Sequence, residues 1–70
     1  MDLPDIEAVA AKVHDAWMES KRAQGMSSRL SETGEELMVP YERLSEEQKE
    51  VDRATVRAVY AAIRALKEER

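Results

Sequence analysis

The helical apolar period of this chain runs through its first third, stops at Gly25 and returns only at Ser45. In the first stretch Ile6, Val9, Ala10, Val13 and Trp17 recur at three- and four-residue spacing, the pattern of one apolar stripe on a helix. The spacing predicts a helix over Leu3 to Gln24. Asp2 is placed to cap it, Pro4 suits a first turn where its missing N–H would have no partner, and Asp5 favours the positive end of the dipole. At the other end Lys21 and Arg22 stand in the last turn, and Gly25 occupies the natural C-cap.

From Met26 to Tyr41 no helical period survives. Ser27, Ser28, Ser31, Thr33 and Gly34 are turn formers, and the run Thr33-Gly34-Glu35-Glu36 reads as a tight reversal. The flanking "SRL" and "ELMV" are short enough for a minimal hairpin or an ordered loop. Structureless loops beyond roughly 12–15 residues are uncommon in compact domains unless they have a function. Leu37, Met38, Val39 and Tyr41 are expected to close the open end of a helix pair, with Pro40 biasing Val39 toward extended backbone.

Ser45-Glu46-Glu47-Gln48 fits a capping box, so a helical segment starts there. Asp52 offers a second N-cap at which the helix would restart. Beyond it Val51, Thr55, Ala58, Val59, Ala62, Ile63 and Leu66 make a continuous face whose alanines permit close helix–helix approach. The expected fold class is mainly α. Two long antiparallel helices are joined by a structured middle loop, with a short helix and room for a minimal β-hairpin, folded across one end. Residues 1–70 form one domain.

A chain of 70 residues buries only about 60% of its unfolded surface, and scaffolds of this size usually add disulfides, a metal or a partner subunit. There is no cysteine, which excludes disulfides and thiolate metal sites, and the single histidine, His14, cannot build a zinc site without several carboxylates beside it. No metal and no cofactor is expected, and self-association is the remaining staple. The formal charge of −4 is spread along the chain without a basic face, which argues against a nucleic acid polymer or an anionic membrane as partner. No apolar run approaches the roughly 20 residues of a membrane span. The start "MDLPDIEAV" lacks the basic and apolar regions of a secretory signal, so the expected setting is cytoplasmic.

His14, Trp17, Met18 and Lys21 converge along one side of the first helix. They could build a pocket from an imidazole, an aromatic plate and a cation. Trp17, the single tryptophan of a chain without phenylalanine, reads first as a core anchor, and a core tryptophan can still expose one edge. His14 reads as a partly buried, hydrogen-bonded side chain. No Ser, Cys or paired carboxylate stands at a spacing that would make it half of a catalytic unit, so no catalytic residue is assigned and the chain is not read as an enzyme. Arg53 and Arg57 lie one turn apart, near the start of the helix that Asp52 would cap. Cations there oppose the dipole unless paired, either with Asp52 or a nearby glutamate, or with an anionic ligand. Tyr41 either hydrogen-bonds from a buried position or offers its ring to a planar ligand.

Two blocks, "VHDAWMESKRAQG" and "LMVPYERLSEEQKEVDRATVRAVYAAI", together resemble the ryanodine receptor repeat domain, including its free-standing prokaryotic and phage relatives. His14 with Trp17, Gly25, Val39-Pro40-Tyr41, Leu44 and Asp52-Arg53 carry the resemblance, which covers nearly the whole chain. Met26-Ser27-Ser28-Arg29 departs from the family's aromatic pattern after the first glycine, and Glu35-Glu36 replaces its His-Pro pair. The resemblance implies a mainly helical unit. In the receptor channels these repeats pair in tandem about a pseudo-twofold axis, so one copy implies an isologous homodimer. It also implies recognition of a small nucleotide-derived ligand of ADP-ribose or cyclic nucleotide type, in bacterial or phage signalling or defence. Trp17 or Tyr41 would supply the plate, Lys21, Arg29 and Arg53 the cations, and His14, Pro40 and Asp52 the support. The competing implication is a structural or protein-interaction module without a small ligand.

Overall fold

The structure, a computed structural model, describes residues 3–69. Two helices, α1 (Ile6–Ala23) and α2 (Glu46–Glu68), are joined by a loop that carries a single 3-10 turn over Tyr41–Arg43. The fold class is the mainly helical one expected, and the described residues contain no strand. The hairpin reduces to one antiparallel bridge between Leu30 and Glu36. It is held by Ser31 N–H to the Glu35 carbonyl at 2.8 Å and Leu37 N–H to the Arg29 carbonyl at 2.8 Å. Gly34, at φ +87°, makes the reversal in a conformation that side chains with a Cβ rarely adopt.

The termini of α1 follow from local chemistry. Helix α1 starts at Ile6 rather than Leu3, so Pro4 lies before its first turn and Asp5 is the N-cap, its carboxylate accepting from Ala8 N–H at 3.1 Å. The predicted cap at Asp2 lies outside the described residues. Leu3 and Pro4 precede the helix, and the Pro4 carbonyl accepts a 2.8 Å hydrogen bond from the Tyr60 hydroxyl of α2. At the far end Gln24 is the cap and Gly25 follows at φ +84°. Met26 N–H bonds back to the Lys21 carbonyl and Gly25 N–H to the Arg22 carbonyl, the paired pattern of a Schellman stop.

Helix α2 starts where the capping box placed it, with Ser45 Oγ accepting from Gln48 N–H at 3.3 Å. The reciprocal partner is different. Glu35 of the loop, rather than the Gln48 side chain, takes the Ser45 N–H at 2.9 Å and the Ser45 hydroxyl at 2.7 Å. A full carboxylate is the better acceptor, and it ties the loop to the helix start in the same contact. Asp52 does not restart the helix. It lies inside a continuous α2, because nothing breaks the hydrogen-bond ladder between Glu46 and Glu68.

The core is small: Ala10, Tyr41, Leu44, Val56 and Tyr60, with Leu3, Ile6, Val9, Ala11, Leu37 and Val39 packed around it. Met18 and His14 are also buried. The antiparallel helices therefore meet through Ala10 and Val56, and the loop closes over them with Tyr41 and Leu44. Trp17, expected as a core anchor, is only half-buried; Tyr41 and Tyr60 are the aromatic anchors instead. The face of α2 predicted to pack is also not the buried one. Val56 and Tyr60 point into the core, while Val51, Val59 and Leu66 stay 58%, 52% and 64% exposed. No helix in the described residues is long and apolar enough to cross a membrane.

Candidate functional site

Between α1 and α2, on the side of the core nearest the loop, lies a groove of about 230 Å³. Helix α1 contributes Val13, His14 and Trp17 one turn apart, α2 contributes Gln48, Val51, Asp52 and Thr55 at four- and three-residue steps, and Leu37 and Leu44 close the end. The walls are chiefly apolar, and the polar atoms within it are few enough to be considered singly.

His14 sits at its base. Its Nε2 lies 2.7 Å from the Val39 carbonyl oxygen. A carbonyl can only accept, so Nε2 carries the hydrogen and, in the neutral ring, Nδ1 is an acceptor. That Nδ1 faces Asp52 Oδ2 at 3.8 Å, too far for a direct hydrogen bond. Burial raises the Asp52 carboxyl above its ordinary value, and the neighbouring His14 pulls it partly back. The groove therefore holds either an imidazolium–carboxylate pair or two acceptors facing one another.

Trp17 lies against the other face of the imidazole, with ring centroids 5.6 Å apart and planes 20° from parallel. The Lys21 ammonium is 5.9 Å from the Trp17 ring, so imidazole, indole and ammonium stack along α1 in that order. This ladder is the convergence that the sequence spacing indicated.

The other predicted ligand residues lie elsewhere. Tyr41 packs 6.3 Å from His14 on its core side and is only 4% exposed, so its ring is not a free plate. Its hydroxyl donates to Glu7 Oε1 at 2.9 Å. Arg53 holds the same glutamate, with Nε 3.4 Å from Glu7 Oε2, and also reaches Glu46 at 2.8 Å and Glu50 at 3.8 Å. Three carboxylates engage this guanidinium, the pairing that sequence reasoning set beside an anionic ligand. Arg57 likewise pairs with Glu50. Arg29 is exposed in the loop and lines no cavity with Trp17, its backbone N–H donating to Glu36 at 2.8 Å. Pro40 is exposed and caps the 3-10 turn. Of the predicted set, Trp17, Lys21, His14 and Asp52 come together; Tyr41 and Arg53 form a separate structural cluster. Gln48 and Thr55 were not singled out, although their spacing from Asp52 places all three on one face of α2.

A family model described as the RyR domain matches residues 4–68. The chain belongs to the RyR domain family. Neither the search of curated proteins nor that of solved structures returned a significant match. In this RyR domain the residues that carried the resemblance are mostly structural. Gly25 ends α1, Leu44 and Tyr41 fill the core, Val39 receives the His14 hydrogen bond, and Arg53 clasps Glu7 of α1 to Glu46 and Glu50 of α2. His14, Trp17, Leu44 and Asp52 also reach the groove.

Proposed function

We propose that this RyR domain is a non-catalytic binding module whose groove takes the planar, amine-bearing base of a nucleotide-derived signalling molecule, of ADP-ribose or cyclic nucleotide type, in the cytoplasm. The observation that carries this reading is the separation of His14 Nδ1 from Asp52 Oδ2, 3.8 Å across the groove. With a neutral imidazole both atoms are acceptors. An exocyclic amine whose nitrogen lies about 2.9 Å from each would donate one hydrogen to each side, and so bridge the two facing acceptors. The walls are chiefly apolar, and the half-buried Trp17 offers a ring edge beside the bound base.

The groove is smaller than the roughly 300–1,000 Å³ of a typical ligand cleft, so the base alone would enter it. The sugar and phosphates would then run outward along α1 toward Lys21. Arg53 contributes no phosphate contact on this reading, because its charge is already matched by Glu7, Glu46 and Glu50.

Titration with adenine nucleotides and cyclic ADP-ribose-type molecules, followed by Trp17 fluorescence and melting temperature, tests the reading. A shift in both is expected with adenine compounds, and a weaker one with the inosine analogues that lack the amine. A folded chain that responds to no member of a broad nucleotide panel overturns it. The second reading is a protein-interaction module without a small ligand, favoured by the exposed apolar residues of α2. On that reading Trp17→Leu leaves every interaction of the chain unchanged.

A further inference from the structure

Two arginines of α2 are paired at the same spacing. Arg53 reaches back seven residues to Glu46, and Arg57 reaches back seven residues to Glu50. Seven residues are two helical turns less about 20°, so both pairs lie along one flank of α2. Arg64 lies on that flank too, within an arc of about 40° that holds all three arginines. For Arg64, however, the residue seven places earlier is Arg57, a second cation where the pattern would put a carboxylate.

No other element supplies the missing anion. Beside Arg53 stands Glu7 of α1, but beside Arg57 and Arg64 the chain presents Leu3, Pro4 and Ile6. Glu68 follows Arg64 by one turn, yet among the described residues no carboxylate pairs with Arg64.

The two arginines line one cleft. Its volume is about 540 Å³, more than twice the roughly 230 Å³ of the groove and within the about 300–1,000 Å³ of typical ligand clefts. Its floor is apolar. Leu3 and Ile6 are half-buried against the core, and buried Tyr60 is held there by its hydroxyl on the Pro4 carbonyl at 2.8 Å. Tyr60 comes three residues after Arg57 and four before Arg64, so the two cations flank it, with Cα atoms about 10.5 Å apart along the helix.

This arrangement selects a class of ligand. Arginine takes carboxylates and phosphates in a two-point fork. Because Glu50 already matches Arg57, the cleft carries a surplus of one positive charge, which one negative charge balances. The apolar floor favours a hydrocarbon body behind that charge. We propose that this cleft binds a monocarboxylate with an aliphatic or aromatic body. Its carboxylate is forked on Arg64 and supported by the spare N–H groups of Arg57, and its hydrocarbon lies on Leu3, Pro4 and Ile6. The cleft shares no residue with the groove between His14 and Asp52, so the two sites are independent.

Titration of the full chain with octanoate, followed by NMR of the backbone amides and arginine side chains, tests the proposal. Saturable shifts are expected at Ile6, Arg57, Tyr60 and Arg64, with none at Trp17. Acetate, which lacks the body, and octan-1-ol, which lacks the charge, should each bind at least about tenfold more weakly. Arg64→Gln should weaken octanoate by at least about tenfold and Arg57→Gln by less, each with the helical circular dichroism intact because both side chains are exposed. Arg43→Gln, at an exposed arginine outside the cleft, should change nothing. Four results overturn the proposal: no saturable shift with millimolar octanoate, acetate binding as well as octanoate, a helical Arg64→Gln that binds octanoate like the parent, or tighter binding of the more highly charged octyl phosphate.

Discussion

His14 Nε2 donates across 2.7 Å to the carbonyl oxygen of Val39, twenty-five residues later in the chain, and so fastens the middle loop to helix α1. The imidazole is buried between Trp17 and Tyr41, so this one side chain links the groove wall, the core and the loop. Its removal should be felt in all three.

His14→Phe, which keeps an aromatic ring but removes the donor, should destabilise the fold by about 1–3 kcal/mol because the Val39 carbonyl is left without its partner. For a domain of this size that corresponds to a melting temperature lower by several degrees. Thermal denaturation at neutral pH measures it. A variant as stable as the parent would mean that the loop is held by its apolar contacts alone.

Tyr41 predicts an alkaline transition. Burial, then the hydrogen bond and charge of Glu7, push its phenol up from 10.0 to about 12, although Arg53 pulls it the other way. The unfolded phenol loses its proton near pH 10 while the folded one keeps it. The unfolded state therefore binds fewer protons in that window, and stability falls as pH rises from about 10 to about 12. Tyr41→Phe lacks this linkage. Its melting temperature should decline less steeply than that of the parent over the same range.

Glu35 predicts an acid transition of the opposite sign. The Ser45 hydroxyl and backbone N–H hold its carboxyl below the ordinary 4.5. The unfolded carboxyl thus protonates first as pH falls, so the stabilisation present above pH 4.5 is lost as pH drops through the folded value. Glu35→Gln should lower the melting temperature at pH 7, and the gap from the parent should narrow toward pH 3. A gap that stays constant would show that the carboxylate charge plays no part in capping α2.

Two valines five residues apart should differ sharply. Val56 is 2% exposed, and Val56→Ala should cost roughly 2 kcal/mol by removing buried methyl groups and leaving a small cavity. Val51 is 58% exposed, and Val51→Ala should leave the unfolding of the isolated chain within about 0.5 kcal/mol of the parent. Denaturant titration at low protein concentration, where association does not contribute, compares the pair. Equal losses would mean that the buried face of α2 has been misassigned.

Much of the architecture was legible in the sequence because it is encoded locally. Gly25 after a basic last turn, Ser45 three residues before Gln48, and the turn formers around Gly34 each act over a few residues, so their chemistry can be read from the order of side chains alone. The convergence of His14, Trp17 and Lys21 belongs to the same class, since one helix places them. The family match spans residues 4–68, nearly the whole chain.

What the sequence could not decide was which partner each ambivalent residue would choose. Helix α2 carries two apolar strips on one cylinder, Val56 with Tyr60 and Val51 with Val59 and Leu66, and the helical period favours neither. The choice is made by α1, whose Ala10 is small enough to admit Val56, and by Pro4, whose carbonyl draws in the Tyr60 hydroxyl. Arg53 was compatible with phosphate until the fold set Glu7 beside it from the other helix. By itself the sequence determined where α1 stops, where α2 starts and which side chains share a face. The tertiary structure alone decided which face is buried and which charges are already matched, because burial and pairing depend on contacts between residues far apart in the chain.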